Sequence, residues 1–255
     1  MTGSFVGRVV VVTGGTRGIG RVIAERFLAE GADVIVCARK ACEAPPAAGG
    51  RVARFVAADV REAEQIDRVI AAASALGRLD VLVNNAGGSP PADAATASPR
   101  FSSAIVALNL LAPLGFAQRA NQVMQAQPEG GAIVNIASVS GLRPSPGTAA
   151  YGAAKAGLIH LTQSLAIEWA PRVRVNAVSA GMILTEESRP HYGDDASVAR
   201  VAATVPLGRL GEAGDVAEAC LYLASARARY VSGANLVIHG GGERPAFLGA
   251  VRAPA

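Results

Sequence analysis

Short apolar runs rich in β-branched residues alternate with segments of helical length along the whole 255-residue chain. Apolar runs that suit strands buried on both faces occur at 9–13, 34–37, 52–57, 81–84, 132–136, 173–178 and 236–238. Helical segments separate them, the clearest at 18–30, 62–76, 151–170 and 215–224. Strands of this kind joined by helices form a parallel sheet that is covered on both sides. The pattern predicts a doubly wound α/β fold, with a parallel sheet of about seven strands and helices on both faces.

The length and composition fit a single domain that spans residues 1–255, with no internal repeat. Hydrophobic residues make up 51% of the chain and charged residues 17%, a balance that excludes a disordered chain. No apolar run approaches the roughly 18 residues that span a bilayer. The apolar segment near the N-terminus is too short for a signal peptide. We therefore expect a cytoplasmic protein with no membrane partner.

Cysteine and histidine positions favour neither disulfides nor a metal site. Cys37, Cys42 and Cys220 lack the paired spacing of metal ligands, and an odd number of cysteines fits a reducing compartment. The three histidines are scattered as well: His160, His191 and His239. The net charge of +4 comes from dispersed arginines without a basic block, so nucleic-acid binding has little support. A dispersed positive charge still favours an anionic small molecule such as a dinucleotide phosphate.

A glycine-rich segment with the sequence TGGTRGIG, residues 13–20, follows the first predicted strand and opens the first predicted helix. Glycines at such a turn let backbone N–H groups approach a pyrophosphate, whose charge the helix N-terminus favours. A turn that only closes a helix onto a strand can be glycine-rich too, but the strand-turn-helix setting favours nucleotide binding. We assign these loop residues to cofactor binding: Gly14, Thr16, Arg17, Gly18, Ile19 and Gly20.

The loop spacing TGxxxGxG resembles that of the short-chain dehydrogenase/reductase family, and further motifs agree with it. The sequence NNAG at 84–87 is similar to the family motif that follows the fourth strand. Ser138, Tyr151 and Lys155 match the family's S-x12-Y-x3-K site. The resemblance covers nearly the whole chain, up to the glycines at 240–242. It implies a Rossmann-type fold, a nicotinamide cofactor, and a homodimer or homotetramer.

The resemblance also assigns residues by position. Asn109 stands where the family has its helical catalytic asparagine, although a helical asparagine can equally bond a neighbouring backbone group. Asp59 and Val60 resemble the pair that contacts adenine, and Thr185 matches the threonine that meets the nicotinamide carboxamide. The other cofactor contacts that the family motifs imply are Asn85, Ala86, Gly87 and Gly181, together with Tyr151 and Lys155.

The predicted catalytic residues have chemistry that suits hydride transfer to a carbonyl. The developing alkoxide needs a proton, and a tyrosine can supply it as general acid/base. Residues at i and i+4 share a helix face, so Lys155 lies beside Tyr151 and its ammonium would lower the tyrosine pKa. Ser138, at a strand end, would hydrogen-bond the substrate oxygen. By resemblance, Lys155 also holds the nicotinamide ribose, and Asn109 holds a water that links Lys155 to solvent.

The end of the second strand bears on the choice of cofactor. An acidic residue there would bond the ribose 2′-OH and repel a 2′-phosphate, but this chain has Ala38. Asp33 does not substitute, because it lies at the other end of the strand. Arg39 and Arg17 are placed to bind a 2′-phosphate, unless both are ordinary surface arginines. The sequence predicts NADP(H), with NAD(H) possible.

Two positions depart from the family pattern. Ala180-Gly181 replaces the usual Pro-Gly, which frees a backbone dihedral and favours a mobile substrate lid over 182–204. His239 replaces the usual aspartate before the final glycines, either as a structural substitute or with a role at the substrate site. Apolar residues in the lid favour an apolar small-molecule substrate: a ketone, a steroid-like compound or an acyl compound.

The sequence therefore predicts an NADP-dependent oxidoreductase that acts on CH–OH or C=O groups. An NAD-dependent alcohol dehydrogenase of the same family is the nearest alternative, and an enoyl reductase would have a wider tyrosine–lysine spacing. A non-catalytic nucleotide-binding sensor would tend to lose the tyrosine or the lysine. The predicted helix after Tyr151 carries Leu158, Leu161, Leu165 and Trp169, more apolar surface than one inner face needs, which favours self-association.

Overall fold

Eleven strands are described in the computed structural model, which covers residues 4–186, 188, 192–245 and 247. They are β1 Val9–Thr13, β2 Asp33–Ala38, β3 Ala47–Ala48, β4 Arg51–Val52, β5 Arg54–Ala57, β6 Val81–Asn84, β7 Gly131–Ser138, β8 Val173–Ala180, β9 Ile183–Leu184, β10 Gly211–Glu212 and β11 Asn235–Ile238. Seven of them form one sheet in the order β11-β8-β7-β6-β1-β2-β5, and every pair in it is parallel.

The helices follow the predicted alternation with the strands. Their bounds are α1 Gly18–Ala29, α2 Ala63–Ser74, α3 Pro99–Val106, α4 Ala112–Ala126, α5 Ala149–Glu168, α6 Asp195–Ala202 and α7 Ala213–Ala224. A five-residue π-helical turn, Ala107–Leu111, joins α3 to α4. The predicted helices agree with α1, α2, α5 and α7 to within about three residues at each end, which is ordinary fraying of helix limits.

Two apolar cores lie on opposite faces of the sheet, because successive side chains in a strand point to opposite sides. In β1, Val10 and Val12 pack into the core formed with α1 and α7. Val9 and Val11 pack into the other core, which α2, α4 and α5 cover. All four valines are at most 2% exposed. The doubly wound fold with helices on both faces is thus confirmed.

The third predicted strand, at 52–57, is shorter in the structure than expected. Val52 pairs with Ala47 in the small antiparallel β3–β4 hairpin, and only Arg54–Ala57 joins the main sheet beside β2. The backbone N–H of Ala53 bonds Pro46 O within this turn, so it is not available to the sheet. A β-branched run marks extended backbone but does not say which neighbour it pairs with.

The proposed lid at 182–204 contains regular structure that the sequence prediction did not include. Ile183–Leu184 pairs in parallel with Gly211–Glu212, and α6 begins after Asp194, whose carboxylate accepts a hydrogen bond from Ser197 N–H. Residues 187 and 189–191, including His191, lie outside the described part of the chain, as do 1–3, 246 and 248–255.

One helical stretch is long and apolar enough to cross a membrane, which the sequence analysis did not anticipate. It runs from Pro99 to Ala126 with a mean hydropathy of 1.4 in its most apolar window, of which 33% is buried. The stretch is part of the doubly wound fold, since Phe116 and Met124 are fully buried in the core beneath the sheet. Length and composition alone therefore do not make it a spanning segment.

Candidate functional site

The direction of strand addition reverses between β1 and β6 at the centre of the sheet, and ligands of open α/β sheets bind at the carboxyl ends of such strands. Thr13 ends β1, and its Oγ1 accepts hydrogen bonds from the backbone N–H groups of Asn85 and Ala86, each at 3.0 Å. The Asn85 amide donates in return to Thr13 O at 2.9 Å. These bonds fix the two chain segments that flank a cleft of about 460 Å³.

All sixteen residues that the sequence analysis assigned to the cofactor line this cleft. They are Gly14, Thr16, Arg17, Gly18, Ile19, Gly20, Arg39, Asp59, Val60, Asn85, Ala86, Gly87, Tyr151, Lys155, Gly181 and Thr185. Ser138 lines it too, so three of the four predicted catalytic residues, Ser138, Tyr151 and Lys155, share the cleft with the cofactor residues. Asn109 is fully buried behind the wall rather than at its surface.

The glycine loop has the space and the donors that a pyrophosphate needs. At Gly20 a Cβ atom would come within 2.3 Å of the Asn85 amide and 2.4 Å of Gly14 O, so only glycine allows the helix to start this close to the strand. The Gly18 N–H already donates to the Glu186 carboxylate at 2.7 Å. An anionic group therefore fits at this helix N-terminus, and the bond holds the pKa of Glu186 below its usual value.

The far end of the cleft carries two arginines beside one carboxylate. Arg61 donates to both oxygens of Asp59, from Nε at 2.9 Å and from Nη2 at 2.6 Å. This pairing, with a smaller contribution from the charge of Arg39, lowers the pKa of Asp59. The sequence analysis did not single out Arg61, although its place two residues after the predicted adenine contact was an available signal.

The predicted catalytic side chains meet at the opposite end of the cleft. Lys155 Nζ lies 5.6 Å from the centre of the Tyr151 ring and donates to Ile136 O at 2.7 Å. Lys155 is 3% exposed, and burial lowers its pKa from 10.5 to about 8. Burial also raises the pKa of Tyr151, and a hydrogen bond with Ser138 opposes that rise.

The net direction for Tyr151 differs from the expectation that the lysine would lower its pKa. Burial penalises the phenolate, and the lysine ammonium is penalised by burial as well. The lysine lies over the ring rather than beside the hydroxyl, and its bond goes to a backbone carbonyl. The protein without cofactor thus keeps Tyr151 protonated, the form that a general acid needs.

Asn109 lies in the π-helical turn, and its side chain bonds to backbone groups. Its Nδ2 donates to Gly88 O and Ile105 O, and its Oδ1 accepts from Gly88 N–H, each at 2.9 Å. A Cβ at Gly87 would come within 2.7 Å of Asn109 Oδ1 and 3.2 Å of Lys155 Nζ. Asn109 therefore fixes the loop next to Lys155, and its predicted link to a water stays a prediction.

Two other groups at the cleft were missed because nothing local in the sequence marks them. Ile136 contributes its carbonyl, and Glu186 reaches the glycine loop from 168 residues away. Tyr192, which belongs to the predicted lid, also lines the cleft. Burial and the charges of Tyr151 and Glu243 raise the pKa of Tyr192. Among the described residues no group of three or more His, Cys, Asp or Glu side chains is arranged to hold a metal ion.

Comparisons with known proteins agree with this architecture. A family model described as enoyl-(acyl carrier protein) reductase matches residues 14–243. The L-rhamnose 1-dehydrogenase (NAD(P)(+)) of Azotobacter vinelandii is 37% identical over 248 residues, which cover 93% of this chain and 97% of the relative. The chain belongs to the short-chain dehydrogenase/reductase family. Like other members of this family, this protein is an oxidoreductase that acts on carbonyl or alcohol groups with a nicotinamide cofactor.

Two further relatives show the range within the family. The 3beta-hydroxysteroid dehydrogenase 1 of Eggerthella lenta is 36% identical over 248 residues, covering 92% of this chain and 93% of the relative. The solved structure of a short-chain type dehydrogenase/reductase from Mycobacterium ulcerans superposes with a TM-score of 0.86 at 30% identity, covering 93% of this chain and 90% of that one. Because one of these relatives is a sugar dehydrogenase and another a steroid dehydrogenase, family membership alone does not identify the substrate.

Proposed function

We propose that this protein transfers hydride between NADP(H) and an apolar carbonyl or alcohol compound, such as a ketone, a steroid-like compound or an acyl compound, with Ser138, Tyr151 and Lys155 as its catalytic residues. The observation that carries the proposal is the placement of the Tyr151 hydroxyl. Tyr151 interacts with Ser138, lies under the Lys155 ammonium group and shares the cleft with the glycine loop. The nicotinamide cofactor, when bound, supplies or accepts the hydride.

The mechanism assigns a separate task to each side chain. Ser138 Oγ donates to the substrate oxygen, and its own position is set by the Ser140 N–H, which donates to it at 3.2 Å. Tyr151 O–H gives its proton to the oxygen as negative charge develops there. Lys155 would hold the ribose of a bound cofactor and, with a pKa of about 8, can pass on a proton at neutral pH.

The preference for NADP(H) rests on the end of β2. Ala38 offers no carboxylate to a ribose 2′-OH, and Arg39 and Arg17 line the same cleft. Replacing Ala38 by Asp together with Arg39 by Ser should shift binding from NADPH toward NADH by about ten- to a hundredfold, because a charge-assisted contact is lost and a repulsive one gained. Fluorescence titration with both cofactors measures this. Tighter binding of NADH by the unmodified protein would instead support an NAD-dependent alcohol dehydrogenase.

The catalytic proposal is tested by removing one hydroxyl. Tyr151→Phe should keep the fold and NADPH affinity while carbonyl reduction falls by at least about a hundredfold, because only the proton donor is lost. Tyr230→Phe is the matched control, since Tyr230 is fully exposed and should keep the wild-type rate. Ser138→Ala should lower the rate with little change in cofactor affinity. A Tyr151→Phe protein with near-normal turnover would contradict the assignment.

Two other outcomes would favour other functions. Cofactor binding without turnover on any carbonyl of a broad panel would support the nucleotide sensor. Reduction of a conjugated C=C bond in preference to C=O would support an enoyl reductase, the activity that the matching family model names. The four-residue step from Tyr151 to Lys155 resembles the carbonyl-reducing members and supports the first proposal.

We also propose that the protein acts in the cytoplasm as a homodimer or homotetramer, paired through α4 and α5. Leu158 and Leu165 are buried in the chain's own core, so the free apolar surface on α5 is smaller than the sequence analysis expected. Ile167 on α5 is 81% exposed, and Leu111, the residue just before α4, is 55% exposed, so some apolar surface remains at these helices. Light scattering at micromolar concentration should show the assembly, and Ile167→Glu should weaken it.

A further inference from the structure

Three consecutive glycines after β11 form a turn that no other residue type would make easily. Gly240, Gly241 and Gly242 have φ angles of 64°, 96° and 86°, a region that L side chains rarely adopt. A Cβ at Gly240 would also come within 2.7 Å of the Val205 side chain. The turn reverses the chain at the end of the sheet and brings Glu243, the next residue, back towards the cleft.

A second cavity of about 280 Å³ lies where this turn meets the cofactor cleft. It shares Gly181 with the cleft, and its wall begins at Val139, the residue after Ser138. Its main lining residues are Val139, Leu142, Arg143, Met182, His239 and Glu243. The cavity therefore adjoins the hydroxyl groups that would hold the substrate oxygen, and it offers apolar walls to the rest of the substrate.

Arg143 and Glu243 form an ion pair at this cavity although they are 100 residues apart. Arg143 Nη2 donates to Glu243 Oε1, and Arg143 Nη1 donates to Pro144 O at 3.1 Å. The two side chains are 42% and 39% exposed, so the pair adds little to stability. The pair instead keeps the cavity close to neutral, because the positive charge of Arg143 and the negative charge of Glu243 offset each other where the far end of a substrate would lie.

We propose that Glu243 is a specificity-determining residue that keeps Arg143 occupied, so that the cavity takes uncharged carbonyl compounds with an apolar body and rejects carboxylate-bearing ones. A carboxylate that reached Arg143 would have to displace Glu243 and would leave that carboxylate unpaired beside it. A cationic substrate meets the corresponding penalty at Arg143. This inference rests on the proposed function for the location of the substrate, and it names the substrate class of that site.

The test uses binding, so that it does not depend on turnover. The probes are cyclohexanones that carry a hydroxymethyl, a carboxylate or an aminomethyl group opposite the ketone, titrated calorimetrically into the NADP⁺-loaded protein. The wild type should bind the hydroxymethyl compound most tightly. Glu243→Gln should bind the carboxylate at least about tenfold more tightly than the wild type does, because Arg143 then has an open bidentate partner site. Arg143→Gln should gain affinity for the aminomethyl compound instead.

A double variant and the cofactor affinity complete the design. Arg143→Gln with Glu243→Gln should return the preference to the neutral probe, since neither charge remains, and NADP⁺ affinity should stay at the wild-type value in all variants. Equal carboxylate affinity in the wild type and Glu243→Gln would overturn the inference, and so would a wild type that prefers a charged probe. Failure of the proposed function looks different: the probes bind selectively, but none is reduced when NADPH is supplied.

Discussion

Replacing Lys155 by Met should change how the stability of this protein depends on pH. Burial places the pKa of Lys155 near 8 in the folded chain, against 10.5 for an ordinary lysine. Between these two values the unfolded chain holds more protons than the folded one, so the free energy of unfolding rises with pH. Below the folded pKa the lysine is charged in both states, and its burial penalty is fully present.

The size of the effect follows from these two pKa values. Between about pH 7 and about pH 9.5 the wild type should gain about 2 kcal/mol of unfolding free energy that the Met variant does not gain. The bond from Nζ to Ile136 O is lost in the variant at every pH, so it shifts the curve without changing its slope. Other titrating groups cancel in the difference between the two proteins. Urea denaturation across this range measures it.

The matched control is Lys40→Met, because the chain has only these two lysines and Lys40 is exposed. Its stability profile should follow that of the wild type. A difference between wild type and Lys155→Met that changes by less than about 0.5 kcal/mol across the range would refute the reasoning. Lys155 would then be solvated or stabilised in its charged form by a group that the structure does not show.

Two more predictions concern single side chains. Glu186→Gln should tighten NADPH binding by about three- to tenfold, because a neutral amide competes less well than a carboxylate for the Gly18 N–H. Fluorescence titration measures the affinity, and an unchanged or weaker affinity would contradict this competition. Arg174 donates hydrogen bonds to the carbonyls of Leu223, Ala224, Ser225 and Val231. Arg174→Lys should therefore lower the free energy of unfolding, measured by urea denaturation, by about 2 kcal/mol. Arg200→Lys is the control, because Arg200 is exposed, and it should change the free energy of unfolding little.

The central strands were predictable from the sequence because each one is buried on both faces. Val9–Thr13 and Val81–Asn84 are apolar runs that end in a buried polar residue next to the cleft, and both boundaries agree with the structure. Side chains at the carboxyl ends of parallel strands meet at one edge of the sheet, so a correct fold prediction places Thr13 close to Asn85. The glycine loop was predictable from its strand-turn-helix setting, and most of the other cofactor and catalytic residues in the cleft were predicted from the family motifs.

The remaining features depend on contacts between distant parts of the chain, which no local pattern records. Glu186 bonds Gly18, and Arg143 pairs with Glu243, only because separate loops return to the same end of the sheet. The direction of the Tyr151 pKa was mispredicted because it depends on burial, which i and i+4 spacing does not report. Helix α6 did have a signal, the N-cap Asp194, but the sequence analysis predicted no helix within the lid.

The Glu186 carboxylate competes with any incoming anion for the Gly18 N–H in the cofactor cleft. A carboxylate tethered to the same chain acts at an effective concentration in about the millimolar range, whatever the protein concentration. Small inorganic anions must outcompete it with a single contact, so cellular phosphate should not fill the loop. A dinucleotide brings a ribose, an adenine and two phosphates to the same cleft and can offset the loss of one carboxylate bond. The glycine loop is therefore selective for ligands that make several contacts in the cleft at the same time.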